Sequence, residues 1–223
     1  MEWRPIATVD AVLLTIEDDV LKVLLHRRAA APFEEYWALP GGYIRPEEDS
    51  SAADAVARVL KQKSGLEGVY LEQLRTYSGP DRDPRDWSLS IAYLALVPRD
   101  ELPGALDERT SLFSVTDLPD LPFDHGEQIS DAVARLRVKG AYSSLPAAFL
   151  PATFTLPMLQ KAYEIAMGEK LDQSSFRRKI AELGIAEKTG QKTSSGSKRP
   201  ASLYQLTEPA ITFNRTLGKL SAD

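Results

Sequence analysis

The sequence predicts an α+β chain in two parts, an α/β/α sandwich around a mixed sheet followed by a smaller helical unit that ends in a hairpin. Three observations predict it. Strand-like apolar runs surround one long helix placed early, between Ser51 and Gly65. The last third reads helix, helix, hairpin. Charge changes sign between these parts: residues 1–152 carry 16 Lys and Arg against 25 Asp and Glu, whereas 153–223 carry 11 against 7.

Taken in order, Val12–Ile16 and Val20–Leu25 flank the turn Glu17-Asp18-Asp19 and read as a β-hairpin ending in His26-Arg27-Arg28. An irregular stretch with Phe33, Tyr36 and Trp37 leads into the tight turn Leu39-Pro40-Gly41-Gly42. After an acidic loop, Val56, Val59 and Leu60 share one side of a helix that stops at Gly65. Val69–Tyr77, Trp87–Val97 and Leu112–Val115 read as strands, with a polar loop at 78–86. Asp124 and Glu127 form a capping-box pattern for a helix reaching about Lys139, with Ile129, Ala132, Val133 and Leu136 inward. That divides the chain into a domain at 1–140, an Ala/Ser/Pro-rich linker at 141–153 and a domain at 154–223.

In the second domain Thr155 caps a helix with Pro157 in its first turn, where a missing N–H costs nothing. Asp172 caps the next helix, which ends at Gly184. Ile185–Thr189 and Ser202–Leu206 are strands joined by a loop holding Lys192, Lys198 and Arg199. Helix, helix and basic hairpin make a winged helix-turn-helix pattern. On the second helix Phe176, Ile180 and Leu183 form the core stripe, leaving Ser174, Arg177, Arg178 and Ala181 opposite. Small residues and two arginines suit a major groove; the same face also fits a plain solvated basic surface. The basic hairpin beside it favours DNA, contacted by Ser174, Arg177 and Arg178 on the helix and Lys192, Lys198 and Arg199 in the wing. One winged helix makes few contacts, so a two-fold dimer on double-stranded DNA is expected.

Composition narrows the classes. The chain has 223 residues and no cysteine, which excludes disulfides, thiolate metal sites and cysteine nucleophiles. His26 and His125 are its two histidines and lie far apart in sequence, against a zinc centre. No apolar run approaches membrane-span length, and Glu2-Trp3-Arg4-Pro5 opens no signal core, so a cytoplasmic protein without a membrane partner is expected.

The stretch 39–66 is similar to the Nudix box, the loop-helix element that hydrolyses nucleoside diphosphates linked to another group. Gly42, Glu48, Arg58, Leu60 and Gly65 fit its pattern. Nine residues rather than seven separate Glu48 from Arg58, and Val59, Gln62 and Lys63 stand where the family has glutamates. Those glutamates hold divalent cations; an amide and an ammonium do not replace them. The resemblance therefore implies a nucleotide pocket without a catalytic centre, with no catalytic or metal-ligating residues. Against that, Glu47, Glu48, Asp49 and Asp54 lie nearby, which keeps open an active ADP-ribose pyrophosphatase with an accessory C-terminal domain.

Over nearly its whole length the chain resembles the Nudix-related transcriptional regulators of NAD metabolism, NrtR. The matching segments include Val9–Leu13, Leu39–Gly42, Arg82–Ser88, Phe123–His125, Phe154–Leu156, Phe176–Lys179, Thr189-Gly190 and Arg199–Tyr204. Asp86 departs, standing where the family often has glycine. The resemblance implies a repressor of NAD synthesis or salvage genes, released from DNA by ADP-ribose or a related nucleotide, with no resident cofactor. Such an effector needs cations, backbone N–H groups and an aromatic face. Gly41 and Gly42 can admit the pyrophosphate, Arg28, Arg45, Arg82 and Arg85 are the nearby cations, and Trp37, Tyr43 and Trp87 the aromatics. For Trp37, core packing is the competing role.

Overall fold

The computed structural model describes residues 4–104, 106–193, 200–208 and 212, in two compact units. The first takes in residues to 133 apart from 18–20, and the second the remainder. The sandwich-plus-winged-helix architecture is α+β, as the sequence predicts.

Strands β1 (Ile6–Glu17) and β2 (Val20–Arg27) form the hairpin. Asp18 and Asp19 at its turn have φ of 52° and 63°, the two positive values a type I′ turn requires. Short strands β3 (Trp37–Ala38) and β4 (Gly41–Tyr43) follow, then helix α1 (Ala52–Ser64), β5 (Tyr70–Gly79), β6 (Ser88–Leu96) and β7 (Thr110–Ser114). The sheet order is β3-β2-β1-β6-β5, with β4 paired to β1 and β7 to β2. The β1–β6 pair is parallel and the others are antiparallel, which makes the sheet mixed.

Helix α1 starts where the Ser51 side chain accepts the Asp54 N–H at 3.1 Å. It stops at Gly65, whose φ of 72° no side-chain-bearing residue adopts cheaply. Ala55, Val56, Val59 and Leu60 bury against Val9, Ala11, Leu13, Leu24 and Tyr93 of the sheet. Each large side chain buried there contributes about 1.5–3 kcal/mol.

Helix α2 (His125–Gly140) carries Ile129, Ala132, Val133 and Leu136 on its buried side. It is unbroken, and the division between units falls within it. Its expected capping acids are engaged elsewhere: Asp124 takes Arg82 Nε at 2.8 Å, and Glu127 pairs with Arg75.

The stretch read as a linker carries local structure. Residues 141–153 contain a 3-10 turn, Leu145–Phe149, with Leu145, Pro146, Ala147 and Phe149 buried. Apolar side chains and a proline suited to a first turn outweigh the loop-like composition. Next come α3 (Leu156–Met167) and α4 (Gln173–Leu183). Thr155 accepts the Met158 N–H at 3.4 Å, and Asp172 the Ser175 N–H at 2.9 Å, so both predicted caps are in place. The β8 (Ala186–Lys192) and β9 (Ser202–Leu206) hairpin closes the unit. Phe154, Leu159, Tyr163, Phe176, Ile180 and Ile185 make its core, with the Tyr163 and Phe176 rings edge-on at 5.5 Å.

Candidate functional site

The first unit contains a cavity of about 480 Å³. β4 supplies Gly41, Gly42 and Tyr43 to its wall, the end of β2 supplies Arg28, and the loop before β6 supplies Arg82 and Arg85. All six were predicted site residues, and the structure brings them together. Gly41 is required by close approach. It lies opposite Asp10 in the β1–β4 ladder, and a Cβ built on it would sit 2.0 Å from Asp10 Oδ1.

Asp10 is the group the sequence reasoning missed. Only 5% exposed, it accepts from Ser90 Oγ at 2.6 Å, Gln128 Nε2 at 3.1 Å and Arg82 at 3.1 Å. Arg82 is committed on both sides, to Asp10 and to Asp124. Its guanidinium lies 5.8 Å from the Phe123 ring centroid, and that of Arg28 lies 5.0 Å away. His125, in the first turn of α2, accepts the Leu39 N–H at 3.1 Å through Nδ1. Burial pushes His125 below the ordinary histidine value, with Asp10 and Asp124 opposing. One signal was available: Asp10 is the lone acid in the apolar run Val9–Leu14, and such an acid is buried only with partners.

Arg85 grips Asp83, with Nη2 2.6 Å from Oδ2, and also donates to the Tyr43 hydroxyl. That contact lowers Asp83 and raises Arg85 from their usual pKa values. Burial lowers Arg28, with Arg85 adding and Asp83 and Asp10 opposing. His26 bonds Thr110 Oγ1 at 2.8 Å through Nδ1, while its buried Nε2 has no hydrogen-bond partner among the described residues. Burial, with Lys63 adding and Asp107 opposing, takes His26 down to about 4.

Three predicted residues lie elsewhere. Trp37 packs edge-on against Phe113 at 5.0 Å and under the Arg27 guanidinium at 4.9 Å, the packing role weighed against ligand contact. Arg45 pairs with Glu48 at 3.1 Å beside α1, outside the cavity wall. Trp87 lines a second cavity of about 830 Å³, together with Phe33, Arg82, Arg85 and Phe123. Among the cavity-wall residues that the sequence reading did not assign to the ligand site are Asp10, His26, Arg27, Lys63, Arg109 and His125.

In the second unit Ser174, Arg177, Arg178 and Ala181 are exposed on α4, opposite buried Phe176 and Ile180. Lys192, at the end of β8, is also exposed. Lys198 and Arg199 lie outside the described residues.

Two family models match in tandem: the NUDIX domain over residues 6–136 and the NrtR DNA-binding winged helix domain over 146–206. The chain is 37% identical to the ADPR responsive transcriptional repressor NtrR of Acinetobacter baylyi, over 94% of this chain and 85% of that protein. The chain belongs to the NrtR family. The crystal structure of Shewanella oneidensis NrtR with a 27mer DNA matches at TM-score 0.87 and 36% identity, covering 95% of this chain and 99% of that one. The NUDIX domain of the same protein with ADP ribose matches at TM-score 0.55, covering 60% and 90%. An ADP-ribose pyrophosphatase of Methanocaldococcus jannaschii is 38% identical over 57% of this chain and 73% of its own length.

As in other NrtR chains, a Nudix domain precedes the winged helix, and the Nudix fold raises the question of metal. Here the donor set does not fit one. Val59 is buried in the core, Gln62 is an amide, and Lys63 lines the cavity as an ammonium. Arg58 occupies the neighbouring acid: its Nε lies 2.7 Å from Asp49 Oδ1. That bond, together with the Arg45 N–H, takes Asp49 down to about 2. Among the described residues, no cluster of three or more His, Asp or Glu is placed to hold a metal.

Proposed function

We propose that this protein is a nucleotide-responsive transcriptional repressor that binds operator DNA as a dimer and leaves it when ADP-ribose occupies the Nudix cavity. One observation carries the reading: a single chain joins a cation-walled cavity to a winged helix whose α4 presents Ser174, Arg177 and Arg178 outward. The Acinetobacter relative is a repressor responsive to ADP-ribose, and Shewanella NrtR binds both DNA and ADP ribose. Gly41, Gly42, Tyr43, Arg28 and Arg85 form the ligand wall, while Arg82 braces it and Trp87 serves the adjoining cavity. The protein acts in the cytoplasm on genes of NAD supply and does not hydrolyse its effector, because its helical carboxylates are replaced and Asp49 is held by Arg58.

Helix α2 supports the coupling. Asp124 and Gln128 at its start bind Arg82 and Asp10, and the helix runs unbroken to Gly140. Ligand can shift a DNA-binding equilibrium only by its differential affinity for the two states, typically about 1–3 kcal/mol. The test titrates ADP-ribose into protein bound to a duplex selected in vitro from random sequence. Release over that energy range supports the reading, and unchanged gel-shift binding at saturating ADP-ribose removes it.

A further inference from the structure

The cavity wall carries six cations, Arg27, Arg28, Lys63, Arg82, Arg85 and Arg109. Five of them already have protein partners. Arg82 lies between Asp10 and Asp124, and Arg85 is on Asp83. Arg27 and Arg109 share Glu35, and Arg28 donates to the Pro32 carbonyl at 2.8 Å. Among the described residues, Lys63 alone of the six makes no hydrogen bond or ion pair. Lys63 is exposed as a residue, and the part of its solvation that the cavity wall displaces holds its ammonium below the ordinary lysine range, with Asp10 opposing and Arg28 adding. An ammonium with no protein partner gains more from an anionic oxygen than a guanidinium already paired.

The charge balance of the wall points the same way. Against six cations stand three wall carboxylates, Asp10, Asp83 and Asp107, and the pairing acids Glu35 and Asp124 outside the wall, which leaves positive charge in excess by one before any ligand enters. A diphosphate reduces that surplus, whereas a divalent cation adds to it.

We propose that Lys63 binds the pyrophosphate of the effector directly, so that this pocket holds its nucleotide without a divalent cation. The proposal rests on the nucleotide reading of the cavity. Lys63 then does more than mark a lost carboxylate: it supplies, from the last turn of α1, the positive charge that a metal would otherwise bring.

Isothermal titration calorimetry on the full-length protein tests this with two probes, ADP-ribose and inorganic pyrophosphate, each in EDTA and in magnesium. Wild type should bind ADP-ribose equally well in both buffers. Lys63→Ala should weaken both probes by on the order of tenfold, the loss of one charge-assisted hydrogen bond. Lys63→Arg should recover most of that loss. Lys63 projects from an exposed position on the helix, so both variants should melt with wild type. Wild-type affinity in Lys63→Ala overturns the proposal, as does binding that requires magnesium. Binding of pyrophosphate that depends on Lys63, with none of ADP-ribose, would sink the effector reading and leave Lys63 its role. Failure of both probes removes both.

Discussion

Gly41→Ala places a methyl group where the structure has no room. Its carbon would stand 2.0 Å from Asp10 Oδ1 and 3.0 Å from the Val9 carbonyl oxygen. The Val9 carbonyl is backbone in the middle of a paired strand, so the Asp10 carboxylate must yield. It cannot yield freely, because Ser90, Gln128 and Arg82 all bond its other oxygen within 3.1 Å. Losing one or two of these bonds to a buried charge costs roughly 3 kcal/mol. For a chain of this size that lowers Tm by roughly 6–12 °C. Gly42→Ala is the control: its Cβ meets only Val59 Cγ2, at 3.1 Å, and should cost about 1 kcal/mol. Differential scanning fluorimetry reads both variants, and calorimetry with ADP-ribose reads the cavity, where Gly41→Ala should bind at least tenfold more weakly. A Gly41→Ala protein that melts within about 2 °C of wild type and binds like it would show that Asp10 is not fixed as described.

Three further outcomes are expected. Because the fold depresses His26 from 6.5 to about 4, the unfolded chain takes up that proton first. Stability should therefore fall as pH drops from about 6.5 towards 4, by up to about 3 kcal/mol from this group, and His26→Gln should flatten the Tm–pH curve there. Buried His125 shifts in the same direction, so part of the slope should survive in that variant. Replacing Arg177 and Arg178 together with alanine should cost about 1–3 kcal/mol in operator affinity and lower the salt slope by about two, as read by fluorescence anisotropy; an unchanged slope removes α4 from the DNA interface. Incubation with ADP-ribose and magnesium should release no AMP by chromatography above a protein-free control, and steady turnover would restore the pyrophosphatase reading.

What the sequence disclosed follows the range of the forces involved. The ends of α4 were legible because caps are local: Asp172 acts on Ser175, and Gly184 lies one residue past the helix. The cavity's arginines and glycines were legible as types near one turn. Asp10 was not, because its partners Arg82 and Gln128 are 72 and 118 residues away, and only the sheet and α2 bring them together. Trp37 and Arg45 stand close to the Gly41-Gly42 turn in sequence, yet strand β3 and the loop before α1 carry them off the cavity wall. The 3-10 turn within 141–153 was hidden by composition. Ala, Ser and Pro are common in linkers, but the deciding atoms are the buried side chains of Leu145 and Phe149.

The same substitutions that argue against catalysis make sense as requirements of a sensor. A pocket that cleaves its ligand reports a flux, and occupancy then depends on turnover as well as concentration. A pocket that leaves the ligand intact reports concentration through mass action alone, each tenfold of affinity being about 1.4 kcal/mol. In this chain Asp49, beside α1, is turned inward to Arg58 and the Arg45 N–H, and Glu48 pairs with Arg45 outside the cavity wall. Of the three acids that do face it, Asp10 and Asp83 are held by Arg82 and Arg85. An anionic effector competes for those arginines, and each bond it draws from Arg82 is withdrawn from Asp10 or Asp124. Asp124 immediately precedes α2, so on the proposed reading that competition is felt at the start of this helix.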